Sequence, residues 1–144
     1  HISASSIILD ASNAGVILDG SLLAGEWEAG LQIVSSKGSA IRGLQIANFS
    51  GPAIDISGES RDITIGGDRA IGTGPSGQGN QFIQNLIGVN LSTIGTTLNT
   101  ITGNLMGTDA AGAAQWGNAR SGVWINEIHY DNAGTDVDEK PPHY

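Results

Sequence analysis

Short alternating segments recur along almost the whole chain. Five of them share a four-residue pattern: a small residue, an apolar residue, any residue and a second apolar residue. In a strand the two apolar side chains point to one face and the residue between them points to the other. These segments are Gly15–Leu18, Gly30–Ile33, Ala53–Ile56, Gly88–Leu91 and Gly122–Ile125. Gly and Pro interrupt the chain so often that little room is left for helices of about ten residues. The pattern therefore predicts an all-β chain of short strands joined by turns.

A second type of segment recurs at Asn80–Gly88 and Asn99–Gly107, with a looser copy at Ala40–Ala47. Single-strand units that return every roughly 20 to 35 residues are typical of a solenoid. Parallel stacking of the first type of segment would produce two interior apolar rows. The first row is Val16, Leu31, Ile54, Val89 and Val123, and the second is Leu18, Ile33, Ile56, Leu91 and Ile125. We therefore predict a parallel solenoid of about five or six coils.

Polar and Gly-rich positions predict the corners and loops of this solenoid. Asn85 and Asn104 occupy equivalent places in the second type of segment, where stacked amides can hydrogen-bond along the axis. Two stretches, 66–79 and 107–121, are too long and too rich in Gly for simple turns. We expect them to protrude as loops between strands.

Composition and charge exclude several classes of protein. The formal net charge is −8, and residues 121–144 hold five of the 14 acidic residues and one of the six basic ones. This charge repels nucleic acids and anionic membranes, and no apolar run approaches the ~18 residues of a membrane span. The chain has no cysteine, which excludes disulfides and thiolate chemistry. We expect neither a nucleic acid partner nor membrane insertion.

Several of these segments together resemble a known kind of repeat. They are 39–51, 63–67, Gly79-Asn80, 101–112, Gly117-Asn118 and 122–125. The chain resembles right-handed parallel β-helix repeat proteins of bacterial extracellular type, which are related in fold to pectate lyases. The resemblance implies a right-handed parallel β-helix in a secreted or cell-surface protein. Function does not follow from it, because proteins of this fold have many activities or none known.

The end of the chain carries a second resemblance. Residues 125–136, Ile-Asn-Glu-Ile-His-Tyr-Asp-Asn-Ala-Gly-Thr-Asp, are similar to the opening strand of lamin-tail-type domains. We therefore divide the chain into a β-helix at 1–125 and an acidic strand or tail at 126–144. The interpretation is a truncated following domain, with a short acidic tail as the alternative.

One outward row of the predicted strands carries polar and aromatic side chains. It contains Ile17, Gln32, Asp55, Asn90 and Trp124. Amides, a carboxylate and an indole ring are the groups that hydrogen-bond sugar hydroxyls and stack on sugar rings. We predict a glycan-binding face at Gln32, Asp55, Asn90 and Trp124, with Trp116 of the second loop as a further platform. The alternative is a solvated strand face, which would also be polar.

Catalysis has little support in the sequence. Glycoside hydrolysis needs two carboxylates about 5 to 9.5 Å apart, and the outward row offers only Asp55, with Asp62 as a conceivable partner. Val123–Ile125 resembles a strand motif of pectate lyases, but Asn126-Glu127 stands where that family has Asp-His. We therefore predict no catalytic residues, and a fragment of a polysaccharide lyase or hydrolase is the enzymatic alternative.

Two further expectations concern the ends of the chain. Asp131, Asp136 and Asp138 gather oxygen ligands in a Gly-containing stretch, which predicts either a weak calcium site or a solvated acidic tail. No other cofactor is expected. A solenoid also exposes unpaired strand edges at its ends, and residues 1–14 contain no obvious polar cap. We expect an extracellular structural or adhesive scaffold that contacts a polysaccharide, or alternatively a filament subunit that forms homo-oligomers through the solenoid ends.

Overall fold

The computed structural model describes residues 1–113 and 115–125. Its strands are β1 (Ile8–Asp10), β2 (Ile17–Asp19), β3 (Leu31–Val34), β4 (Ala40–Arg42), β5 (Gln45–Ala47), β6 (Pro52–Ser57), β7 (Thr64–Gly66), β8 (Gln81–Ile83), β9 (Ile87–Leu91), β10 (Thr100–Thr102), β11 (Leu105–Met106) and β12 (Ser121–Ile125). Among these described residues no helix is long and apolar enough to cross a membrane.

The strands form three four-stranded sheets in which every pairing is parallel. Sheet A has the order β12-β9-β6-β3, sheet B the order β1-β4-β7-β10, and sheet C the order β11-β8-β5-β2. From β3 onward the chain visits A, B and C in turn, so each coil adds one strand to each sheet. The chain is an all-β parallel solenoid, as the repeats predict. The predicted count of five or six coils is not confirmed, since each sheet of the described residues has four strands, with Ile2 bridging Ile33 as a further rung.

The predicted interior rows exist in sheet A. Leu31, Ile54, Val89 and Val123 are register partners from β3 to β12, and so are Ile33, Ile56, Leu91 and Ile125. Within these rows Leu31 and Leu91 are half-buried, Val123 and Ile125 are exposed, and the other four side chains are fully buried. Their neighbours across the core come from sheets B and C. The completely buried apolar side chains are Ile33, Ile41, Ile46, Ala53, Ile54, Ile56, Ile63, Ile65, Phe82, Ile87 and Val89.

The prediction was wrong for the first segment, because Gly15–Leu18 does not belong to sheet A. Its strand β2 lies in sheet C, where Ile17 pairs with Gln45 and Leu18 with Ile46. The sequence pattern describes any short strand with an apolar face, so it cannot distinguish one sheet from another. Val16 and Leu18 are therefore absent from the interior rows of sheet A, and Ile17 is absent from its outward row.

Asparagine side chains close the corners between the strands. Asn85 accepts a hydrogen bond from the Phe49 N–H at 3.1 Å and donates one to the Ile46 carbonyl at 2.9 Å, so it bridges the turn of the coil next to its own. Four other residues hydrogen-bond in the same way to a backbone N–H and a carbonyl of the neighbouring coil: Asn80, Asn99, Asn104 and Asn118.

The two asparagines that the sequence analysis paired lie in different ladders. Asn80 donates to Asn104 Oδ1 at 2.9 Å, whereas Asn85 donates to Asn118 Oδ1 at 3.2 Å. Both have the predicted role of hydrogen-bonding along the axis at a corner, but the corners are separate. The reason is that Asn80 precedes a strand of sheet C, whereas Asn99, aligned with it by sequence, precedes a strand of sheet B.

Both predicted loops are present, between β7 and β8 and between β11 and β12. The first of them folds back toward the beginning of the chain. The Gly74 N–H donates to the Ser12 carbonyl at 2.8 Å, and the Thr73 N–H donates to Asn13 Oδ1 at 3.1 Å. This loop therefore braces the turn between β1 and β2.

Candidate functional site

The outward row of sheet A contains the four residues that the sequence places on a glycan-binding face. Gln32 pairs with Asp55, Asp55 with Asn90, and Asn90 with Trp124, each as a register partner on the neighbouring strand. Adjacent strands of a sheet are about 4.8 Å apart, so the row places one of these four side chains on each rung. We call these four residues the sheet A row. That they bind a glycan stays a prediction.

The middle of the row is a fixed hydrogen-bonded pair. Asn90 Nδ2 donates to Asp55 Oδ1 at 2.9 Å. Because a carboxylate only accepts, this bond sets the orientation of the Asn90 amide and directs its oxygen away from Asp55. Asn90 is 4% exposed, and its Oδ1 is buried without a hydrogen-bond partner in the described part of the chain.

Arg120 joins the end of the row. Its guanidinium carbon lies 4.4 Å from the centroid of the Trp124 ring, within the range of a cation–π interaction. Trp124 is half-buried and Arg120 is exposed. The end of the row therefore combines an aromatic surface with guanidinium donors. The sequence analysis missed this role of Arg120, since only the packing of the turn before β12 brings the cation over the ring.

The exposure of the row is graded. Gln32 at one end is exposed and Asp55 is half-buried, whereas Asn90 is nearly covered. The polar groups open to a ligand are therefore Gln32, one side of Asp55 and the surface made by Arg120 and Trp124. Such a surface can hydrogen-bond hydroxyls and stack on a ring, and it holds one carboxylate.

Trp116, the predicted second platform, lies in the loop between β11 and β12. Its backbone N–H donates to the Gly107 carbonyl at 2.8 Å, and its carbonyl accepts from the Gln84 N–H at 3.0 Å. The side chain is 44% exposed. The residue therefore sits beside the corner after β8 and outside the sheet A row.

The conceivable catalytic pair does not share a strand. Asp55 lies on β6 in sheet A, whereas Asp62 is exposed at the corner before β7, with a φ of 55°. Across residues 1–113 and 115–125, no group of three or more His, Cys, Asp or Glu side chains is placed to hold a metal ion. The predicted calcium ligands Asp131, Asp136 and Asp138 lie outside the described residues, as does the whole predicted tail at 126–144.

No family model, curated protein or solved structure matches the chain.

Proposed function

We propose that this protein is an extracellular structural or adhesive β-helix scaffold whose sheet A row contacts a polysaccharide without cleaving it. The observation that carries the proposal is the register of Gln32, Asp55, Asn90 and Trp124 on four consecutive strands. A chain of hydroxyl-bearing rings laid along this row would meet Gln32 and the open side of Asp55 on rungs about 4.8 Å apart. It would then pass over the covered Asn90 and meet the Trp124 ring.

The chemistry of the row supports binding rather than cleavage. Asp55 is its one carboxylate, and Asn90 already donates a hydrogen bond to that carboxylate. Glycoside hydrolysis requires a second acid or base across the scissile bond. The enzymatic alternative is tested by incubating the protein with polygalacturonate, alginate and related polymers, with and without Ca²⁺. We expect no unsaturated or reducing ends, and turnover that is lost on Asp55→Ala would contradict the proposal.

Binding is tested on a glycan array with paired tryptophan variants. Trp124→Ala removes the ring of the row, and Trp27→Ala removes a ring that is 48% exposed and lies between β2 and β3, outside the row. We expect Trp124→Ala to lose binding and Trp27→Ala to retain it. Equal binding of the two variants, or wild-type binding to no glycan, would refute the role of the sheet A row.

The extracellular location and the relationship to pectate-lyase-like proteins are parts of the same proposal. They are supported by the resemblance of 39–51, 63–67 and 101–112 to β-helix repeats of bacterial extracellular proteins. The three parallel sheets are compatible with that relationship. Detection of the native protein in the culture medium or on the cell surface is expected, and detection only inside the cell would contradict this part.

A second candidate function is end-to-end assembly into a filament. It is favoured by exposed apolar side chains at both ends of the rod: Ile8, Val16 and Ile17 at one end and Val123 and Ile125 at the other. Strands β1 and β10 are opposite edges of sheet B, and β2 and β11 are opposite edges of sheet C. A second copy translated along the axis would thus continue each sheet, a head-to-tail contact that does not close on itself. Filaments in electron micrographs support this candidate, and a stable monomer at high concentration excludes it.

A further inference from the structure

A second polar site lies at a corner of the solenoid between sheets A and B. It is a cleft of about 350 Å³ lined by Glu59, Arg61, Gly95 and Thr97. Its volume falls at the lower end of the range of about 300 to 1,000 Å³ found for small-molecule sites. Three of the four lining residues carry polar side chains. We call this site the corner cleft; none of its residues belongs to the sheet A row.

Backbone pairing gives the corner cleft its cationic wall. Arg61 forms parallel bridges with Lys37 on one side and with Thr97 on the other. The bridges are backed by hydrogen bonds from the Arg61 N–H to the Ser36 carbonyl at 3.1 Å and from the Thr97 N–H to the Ser60 carbonyl at 3.2 Å. Lys37 and Arg61 are thus two exposed cations on adjacent rungs.

This pair of cations is unusual for the chain in two ways. Like charges that lie directly opposite each other on neighbouring strands are destabilising, and only six of the 144 residues are Lys or Arg. Neither Lys37 nor Arg61 has a carboxylate within 4.0 Å in the part of the chain that the structure describes. Lys37 lies on the rung beyond Arg61 and does not line the cleft. An anion bound to Arg61 in the cleft would reduce the repulsion between the two cations, so the arrangement favours a negatively charged ligand.

The rest of the lining is also fixed, and it carries acceptors. The Gly58 N–H donates to Thr93 Oγ1 at 2.9 Å, which ties the turn before Glu59 to the loop after β9. Gly95 has a φ of 87°, and a Cβ there would lie 3.0 Å from the Glu59 Cγ, so a side chain at this position would intrude on the cleft. Thr97 Oγ1 donates to the Gly95 carbonyl at 3.4 Å and can accept a further hydrogen bond.

The combined chemistry of the lining selects the ligand. Arg61 offers paired N–H donors that match the geometry of a carboxylate, and Lys37 adds attraction. Glu59 and Thr97 accept hydrogen bonds from hydroxyl groups, while the charge of Glu59 disfavours a ligand with two negative charges.

We propose that the corner cleft binds a hydroxylated monocarboxylate, with the carboxylate on Arg61 and the hydroxyls on Glu59 and Thr97. The ligand is either a free sugar acid or one acidic unit of a polymer. The proposal does not rest on the function of the sheet A row.

The test uses gluconate as the hydroxylated monocarboxylate and acetate as a carboxylate without hydroxyls. Each is titrated into the isotopically labelled full chain at low ionic strength, and the NMR shifts of residues around the cleft are followed. Arg61→Gln is compared with Arg69→Gln, which removes the same charge from an exposed site in the loop between β7 and β8. We expect gluconate to bind more tightly than acetate. Arg61→Gln should weaken gluconate binding by about tenfold, which corresponds to the loss of one charge-assisted hydrogen bond, and Arg69→Gln should leave it within about twofold.

Glu59→Gln tests the acceptors of the lining. It removes the charge that repels carboxylates but also weakens the acceptor for hydroxyls. We therefore expect this variant to bind acetate at least as well as the wild type and to lose its preference for gluconate.

Equal affinity of the wild type for acetate and gluconate, no binding of gluconate, or equal losses in Arg61→Gln and Arg69→Gln would each overturn the proposal. A chain of sugar acids that binds more tightly than gluconate identifies a polymer as the source of the ligand, whereas equal affinity identifies the free acid. Trp124→Ala should bind gluconate as tightly as the wild type does. This control distinguishes binding at the corner cleft from binding at the sheet A row.

Discussion

Replacement of Asn85 tests the corner asparagines, which hold successive coils in register. The side chain is 1% exposed. It accepts from the Phe49 N–H and donates to the Ile46 carbonyl and to Asn118 Oδ1. Asn85→Ala removes these bonds and leaves the Phe49 N–H at the corner without a partner. The Ile46 carbonyl loses one of its hydrogen bonds but stays within the parallel pairing of β5 with β8.

The expected cost has two parts. A buried N–H that loses its partner, here that of Phe49, costs about 1–3 kcal/mol, and the lost hydrogen bond to the Ile46 carbonyl costs about a further 1 kcal/mol. Water that enters the space left by the amide offsets part of this cost. We expect the free energy of unfolding to fall by about 1 to 4 kcal/mol, which is a large part of the stability of an ordinary domain.

Urea unfolding followed by circular dichroism measures this change, with the free energy taken by linear extrapolation. The control is Asn13→Ala: Asn13 accepts from the Thr73 N–H but is exposed, so water can replace it and we expect a loss within about 1 kcal/mol. Equal losses in the two variants, or a loss below about 0.5 kcal/mol in Asn85→Ala, would refute the role of the corner asparagines.

Three further predictions concern the acidic turns, the core and one glycine. Hydrogen bonds from Asn48 and Ser21 hold the pKa of Asp19 below its usual value of 3.8. Because the pKa is lower in the folded than in the unfolded state, the ionised carboxylate stabilises the fold above the unfolded pKa, and this stability is lost as the pH falls through the folded pKa. Asp19→Asn should therefore flatten the acid side of a curve of melting temperature against pH, and an unchanged acid side would contradict this. Ile56→Ala should cost about 2–5 kcal/mol in urea unfolding, as expected for a fully buried isoleucine, and a loss below about 1 kcal/mol would show that the core is not packed there. Gly43→Ala should destabilise the protein by at least about 2 kcal/mol, since the φ of Gly43 is 72° and a Cβ would lie 2.4 Å from the Ser12 nitrogen. The control is Gly112→Ala, because Gly112 has a φ of 71° but no atom within 4 Å of an added Cβ. This variant should cost only about 1–2 kcal/mol, the strain of a left-handed backbone.

The strand pattern predicted the register of sheet A because that pattern has a strict period of two. Once Leu31 and Ile54 occupy equivalent positions, Gln32 and Asp55 must lie side by side on the other face. The same reasoning failed for Gly15–Leu18, since two apolar residues in alternation indicate a strand but do not specify which of the three sheets it joins. The pairing of β2 with β5 places it in sheet C.

The features that the sequence analysis missed depend on contacts between distant segments. Arg120 lies over Trp124 because of how the loop after β11 returns to sheet A. The corner cleft requires a turn after β6 and a loop after β9 to face each other, with positive φ at both Glu59 and Gly95. Each of these backbone conformations is set by nearby residues. The turn and the loop face each other only because one coil stacks on the next.

The central claim is that Gln32, Asp55, Asn90 and Trp124 lie side by side on consecutive parallel strands. Nuclear Overhauser contacts between backbone protons of the labelled protein test it most directly, because neighbouring strands are only about 4.8 Å apart. The account predicts contacts that join these four residues in sequence, together with contacts of Ile17 to Gln45 and none of Ile17 to Gln32. Contacts typical of antiparallel pairing, or contacts that place Ile17 beside Gln32, would contradict it.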